Sequence, residues 1–278
     1  MTPKSNNEII RARTNMNRAI NAHQQVGFEY TQAERYLLDR VVSGKLTTDN
    51  LRSIYQAELQ QLKVNIWDIL SRITPMDKRK LDPYSYPGTS TLINKLGIKD
   101  PEVLKEYEKK YATLRLKELG ENPVKGNFGY QHLKNIHRYI FQDVYTWAGQ
   151  QRKADLMKTG TMFCSAQLIK IRQETVFGKF KNQNHLIGLE KDQFVGAAAN
   201  LLGRMNYHPF REGNGRSQYE FMRELSLNAG YKLELTNVSQ KFMIFAQREY
   251  LAGNPKELER IIQNNSVQIE QGKIKPRL

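Results

Sequence analysis

His208-Pro-Phe-Arg-Glu-Gly-Asn-Gly-Arg216 places a histidine, a carboxylate, two glycines, an asparagine and an arginine within nine residues. Backbone N–H groups at Gly213, Asn214 and Gly215 can approach an anion closely, because the glycines put no Cβ in the way. The segment that follows, Arg216-Ser-Gln-Tyr-Glu-Phe-Met-Arg-Glu-Leu225, reads as a helix, so the glycine corner falls at a helix N-terminus, where phosphate is favoured. Glu212 is a hard oxygen ligand suited to a magnesium ion that also takes phosphate oxygens. His208 is placed to act as a general base, and the Phe210 ring is expected to anchor the loop in the core. Any one of these residues alone is more often part of an ordinary surface loop. Their combination between two apolar helical segments points to a phosphate-handling active site.

The run resembles the Fic (filamentation induced by cAMP) signature, HxFx(D/E)GNGRxxR, through its first nine positions. The resemblance implies transfer of AMP from ATP to a side-chain hydroxyl of a target protein. His208 would deprotonate the hydroxyl and Glu212 would hold Mg2+. Gly213, Asn214, Gly215 and Arg216 would bind phosphates, Asn214 through its amide as well as its backbone. The last signature arginine falls at Tyr219. In the family that arginine binds the γ-phosphate, and tyrosine carries no positive charge near neutral pH. Arg223 lies one turn further on, about 5 Å along the axis, which makes it a poor substitute.

Residues 15–50 resemble the small VbhA-type antitoxins that silence Fic toxins, most clearly from Asp39 to Asn50. Such antitoxins carry an inhibitory helix, (S/T)xxxE(G/N), whose glutamate pairs with the last signature arginine. Aligned on Gly27, the key positions here are Ala22 and Val26, which have neither hydroxyl nor charge. Both partners of the inhibitory pair are therefore missing. The expectation is a neutral apolar contact in place of the ion pair, with Val26 against Tyr219.

Around Lys158-Thr159-Gly160-Thr161 the pattern alternates and suggests a short β-hairpin turning at Gly160. In Fic proteins a hairpin here, the flap, docks the target by strand addition. Met162 and Phe163 are expected to pack it onto the core. Tyr84 to Ile98 resembles the start of Fic toxin domains.

The expected fold is mainly α: a Fic-like helical core with a hairpin flap, preceded by a three-helix antitoxin-like module. The module covers 1–62, a connector 63–82, the Fic domain 83–260 and a tail 261–278. In the module, Ile9, Ile10, Met16, Ile20 and Val26 mark the first helix; Thr31 to Val42 form the second; a third starts at Thr47 or Thr48. Further helices are expected at 101–119, 127–142, 165–179, 190–206, 215–229 and 237–251. Gly196-Ala-Ala-Ala-Asn-Leu-Leu-Gly203 should let a central helix approach its neighbours closely, while Asn200 and Arg204 read as rim positions. Trp67 and Trp147 read as core anchors. His132 and His137 lie on different helix faces and do not suggest a metal site.

A net charge of +15 favours anionic partners, of which nucleotide fits the signature better than nucleic acid. A single cysteine, Cys164, suits a reducing compartment. No apolar run is long enough to span a membrane, and no secretory signal is visible. A cytoplasmic protein is expected, with delivery into another cell left open. The partners expected are a hydroxyl-bearing target protein and the chain's own N-terminal module. Three functions remain open: an AMP transferase, a Fic-fold transferase with another donor or reduced activity because of Tyr219, and a non-catalytic binding protein.

Overall fold

The computed structural model describes residues 5–25, 28–70, 82–158, 161–181 and 184–269. The chain forms two compact units, one of residues 1–122 with 140–146 and the other of 123–139 with 147–278. In the described residues the architecture is helical, with two small antiparallel sheets.

The first unit holds α1 (Asn6–Gln24), α2 (Gln32–Val42), α3 (Thr48–Leu70) and α4 (Pro101–Glu121). Reciprocal capping boxes start the first two helices. Ser5 accepts from Glu8 N and Thr31 accepts from Glu34 N, while each glutamate reaches back to the N-cap N–H. Pro101 opens α4 behind Asp100, whose carboxylate accepts from Glu102 N and Val103 N.

The longest contact is α1 against α4. The buried face of α1 runs Ala12, Met16, Ala19, Ile20, His23, a helical stripe. Ile10, one of the apolar residues that mark this helix, is exposed, because position 10 falls on the side opposite that stripe. Gly120 lets the two helices meet; a Cβ there would lie 2.5 Å from Asn15 Cγ. Helix α4 is buried on nearly every side, through Leu104, Tyr107, Tyr111, Leu114 and Leu119. Its long polar residues keep partners: Lys110 bonds Glu58 and Glu106, and Arg115 takes Asp143 in a fork at 2.7 and 2.8 Å. The expected boundary at 62 does not divide this structure. Helix α3 runs on to Leu70 through the start of the expected connector, and the N-terminal helices share a core with α4. Residues 71–81 and the Trp67 side chain lie outside the described residues.

The second unit holds α5 (Tyr130–Phe141, whose last two residues belong to the first unit), β1 (Met157–Lys158), β2 (Thr161–Met162), α6 (Ile169–Lys181), α7 (Lys191–Arg204), α8 (Asn214–Asn228), β3 (Tyr231–Leu233), α9 (Gln240–Leu251), α10 (Lys256–Asn265) and β4 (Ser266–Gln268). The small-residue helix α7 is central, with Ala198 and Ala199 fully buried. Its close approach is made at Gly203, where a Cβ would stand 2.5 Å from the Tyr250 ring; Gly196 faces open space. Asn200 is exposed, as a rim residue should be.

The end of the chain departs from expectation. Residues 256–265 form α10, which packs on α7 and α9 with Leu258, Ile261 and Ile262 buried, and β4 then pairs with β3. A tail beginning at 261 misses this, because a helix of under three turns followed by one short strand leaves too little periodicity to read.

One polar knot holds the first unit together. Lys109 Nζ lies 2.6 Å from Glu34 Oε1, donates to Glu29 O at 2.7 Å and sits 4.7 Å from the centre of the Tyr30 ring. Burial pushes the Glu34 carboxyl up, but Lys109 and Thr31 outweigh it and hold it below its ordinary value. Removing one member leaves the other buried and unpaired, so Lys109→Met should cost about 3 kcal/mol in urea denaturation. Because a lowered carboxyl stabilises only while ionised, the gap between wild type and Glu34→Gln should be full above the ordinary carboxylate range and close as pH falls through the lowered value.

Candidate active site

Every expected site residue from 208 to 219 lies in the second unit, on the loop between α7 and α8 and the first turns of α8. A short 3-10 turn, Met205–Tyr207, ends at His208, whose backbone is left-handed at φ 50°. That conformation is costly for a residue with a Cβ and persists only where its surroundings enforce it. Two hydrogen bonds do so: Arg152 Nε donates to His208 O and Arg152 N donates to Pro209 O, both at 2.8 Å. The half-buried His208 ring stacks on Phe163, with centroids 4.0 Å apart and planes 19° from parallel.

Phe210 is fully buried, as expected of an anchor, and its ring stacks on His137 at 3.9 Å. The Asn214 side chain then closes the loop. Its Oδ1 accepts from Phe210 N at 2.9 Å and its Nδ2 donates to Phe210 O at 2.8 Å. Each end of the amide bonds Phe210, and Nδ2 carries a second hydrogen, so the clasp does not use up the donors of the Asn214 amide. Gly213, at φ 76°, caps α8, and its N–H donates to Glu212 Oε1 at 2.9 Å. The donors that remain at the helix end are those of the first turn, at Asn214 and Gly215, which a helix leaves without intrahelical acceptors. A Cβ built at Gly215 would meet nothing within 4 Å, so the flank of the helix end is open there.

Arg216 is almost fully buried, with one guanidinium nitrogen 3.8 Å from Glu212 Oε1. Glu212 and Arg216 thus present opposite charges beside the helix end. Among the described residues no group of three or more histidines, cysteines or acids comes together to hold a metal. Glu212 alone fits an ion that takes one carboxylate and completes its shell with phosphate and water, as magnesium does. Tyr219 is half-buried, and burial pushes its phenol up, so it stays neutral. Arg223 is engaged elsewhere, 2.6 Å from the buried Glu220 carboxylate.

The flap is a two-stranded hairpin with Met157 opposite Met162 and Lys158 opposite Thr161. Thr159 and Gly160, at its turn, lie outside the described residues, as do the side chains of Lys158 and Thr161. Phe163 packs inward on His208, whereas Met162 is exposed. Residues face alternate sides along a strand, so Met162 and its partner Met157 lie on the side away from Phe163. Val26 and Gly27 also lie outside the described residues, so the expected contact of Val26 with Tyr219 does too. Ala22 is buried near the end of α1.

Two residues that shape the site were missed. Arg152 sits in a Gln-Gln-Arg-Lys run with no helical period, yet is only 1 % exposed. His137 reads as an ordinary helix residue but holds the loop from beneath. Its Nδ1 accepts from Gly149 N at 2.8 Å, so Nε2 carries the proton and donates to Glu212 O at 2.9 Å. Burial drives its pKa down to about 3, against a smaller raising effect of the Glu212 carbonyl. The unfolded chain takes up a proton at this histidine near pH 6.5 and the native state does not. Stability should therefore fall as pH drops below about 6.5, and His137→Gln should flatten that dependence in denaturation measured between pH 7 and pH 5.

The Fic/DOC family model matches residues 127–226, which include the whole loop and most of α8. Protein adenylyltransferase VbhT of Bartonella schoenbuchensis is 36% identical over 185 residues, covering 66% of this chain and 39% of that protein. The chain thus spans well under half the length of that relative. The Escherichia coli protein named "Probable protein adenylyltransferase Fic" is 32% identical over 181 residues, 65% of this chain and 90% of that protein. Among solved structures, the N-terminal Fic domain of a VirB-translocated Bep effector from Bartonella quintana, with bound ADP, superposes with a TM-score of 0.64 at 26% identity, covering 68% of this chain and 96% of that one. BepC of Bartonella tribocorum, with bound AMPPNP, gives 0.63 at 27% identity, covering 68% and 98%. Since the chain matches nine-tenths of the E. coli protein at this identity and carries the family's loop in its folded form, it belongs to the Fic/DOC family.

Proposed function

We propose that the chain is a protein adenylyltransferase that moves AMP from ATP to a side-chain hydroxyl of a target protein. The observation that carries this reading is the placement of His208, on a backbone bent into a left-handed turn, six residues ahead of the N-terminus of α8 on the same clasped loop. Relatives named protein adenylyltransferases, and Fic-domain structures with ADP and AMPPNP, support it.

In this mechanism the first-turn N–H groups at Asn214 and Gly215 and the Arg216 guanidinium bind the phosphates, where a helix N-terminus favours negative charge. Glu212 would hold Mg2+, which would supply charge neutralisation at the phosphates. His208 takes the proton from the target hydroxyl as its oxygen bonds to the α-phosphorus. The bond from that phosphorus to the bridging oxygen breaks, and pyrophosphate leaves with the electron pair. Such a displacement needs positioning and electrostatic stabilisation above all, and the loop offers both. The flap, Lys158 to Thr161, supplies main-chain hydrogen bonds to an extended target segment.

Tyr219 favours a second reading, in which the chemistry is the same but ATP is a poor donor. Arg223 cannot supply the missing charge while it is paired with Glu220. The N-terminal helices form an antitoxin-like module whose inhibitory positions, Ala22 and Val26, are neutral. Its role in this reading is structural, and the salt-bridge switch has been lost from both sides.

Incubation with α-³²P-labelled ATP, magnesium and a bacterial lysate tests the assignment. His208→Ala should lower labelling about 100- to 10,000-fold, the range for a lost general base, with nucleotide still bound. Labelling that is unchanged by this substitution would overturn the mechanism; salt-sensitive nucleic-acid binding indifferent to it would point to a binding protein. Tyr219→Arg should raise ATP-dependent labelling about tenfold, the effect of roughly one charge-assisted hydrogen bond. Adding Val26→Glu to that variant should silence it again, and Val26→Glu alone should change little. A double variant as active as Tyr219→Arg would remove the antitoxin-like reading of the module.

A further inference from the structure

Arg152 donates to backbone carbonyls that belong to three separate segments. Its NH1 donates to Ala154 O at 2.8 Å, just ahead of β1. Its NH2 donates to Cys164 O, just after β2, and more weakly to Tyr207 O at 3.5 Å. Nε and the backbone N–H reach His208 O and Pro209 O on the catalytic loop. The side chain is 1 % exposed. A buried guanidinium is retained only where its rigid fork of donors is well satisfied, and a lysine cannot span the same acceptors from one nitrogen.

We propose that Arg152 is a positioning residue that locks the base of the flap and the His208 loop into one rigid piece. Both legs of the hairpin and the strained turn at His208 hang from the same cation. The Phe163–His208 stack is a second tie between the same segments, and Phe163 N donates to Leu156 O at 2.9 Å, which joins the hairpin legs to each other. The lock sets how far the flap edge, and any hydroxyl it carries, stands from the imidazole. It does so from outside the nucleotide-binding turn of α8. The role in catalysis rests on the transfer function proposed above; the mechanical coupling does not.

The test uses the full chain and the Arg152→Lys variant, with Lys153→Met, at an exposed neighbouring position, as control. Two readouts are taken. Label transfer should fall about 100-fold in Arg152→Lys, as expected for a misplacement near 1 Å. Binding of a fluorescent ATP analogue should stay within about threefold, since the donors at α8 are untouched. Hydrogen exchange reads the coupling without reference to activity. In wild type the amides of Arg152 and Phe163, one on each tie, should open together, with matching rates and denaturant dependence. In Arg152→Lys both segments should lose protection together. Opening rates in wild type that differ more than tenfold, or loss of protection in one segment only, would overturn the proposal, even if the variant itself folds poorly. Correlated exchange with no label transfer from wild type would leave the lock standing and remove the transfer function.

Discussion

The site depends on one side chain that bonds to a single residue twice. Asn214 uses its carbonyl oxygen and its amide nitrogen on the N–H and C=O of Phe210, closing a loop of backbone that contains Arg211, Glu212 and Gly213. Only an amide offers an acceptor and a donor side by side; a carboxylate of the same shape would face the Phe210 carbonyl with a second acceptor. Because the clasp is buried, its loss would leave backbone groups unpaired away from water. The start of α8, the left-handed turn at Gly213 and the outward position of Glu212 all follow from it.

Around the clasp, polar side chains in the interior are used on the main chain. His137 supports Glu212 O and Gly149 N, Arg152 gathers carbonyls from three segments, Gln218 donates to Met205 O and Ser217 to Gly213 O. The groups assigned to chemistry stand on a loop whose shape is dictated by buried side chains bonded to its backbone. Loops carry function in this way when a rigid scaffold fixes them. The apolar part of the scaffold is ordinary: a small-residue helix, α7, wrapped by neighbours, and Phe210 as an anchor beneath the turn.

How legible all this was in the sequence varied with the kind of signal. The loop from His208 to Arg216 was legible because its residue types are rarely combined, and most helices were legible from period and caps, as at Thr31-Gln-Ala-Glu34. The hairpin was visible from alternation about Gly160. What was hidden were roles created by tertiary contact. Arg152 and Lys153 are adjacent cations, and nothing local tells which one turns inward. His137 gains its importance from residues at 149 and 212. Lys109 is one of several cations on its helix, and only the fold pairs it with a capping-box glutamate of another helix. The clasp of Asn214 on Phe210 is hidden too, because sequence shows that an amide exists and not what it closes. Helix α10 and the β3–β4 pair were lost for want of length.

The left-handed backbone at His208 also says how this position can change over time. At a φ of 50°, most side chains carry a penalty, and asparagine is among the few that tolerate the region well. Histidine and asparagine codons differ by a single base. A one-step substitution could thus remove the imidazole while keeping the turn, the clasp, the helix end and the flap as they are. The backbone itself thus sets which single-base changes this position accepts without disturbing the fold around it.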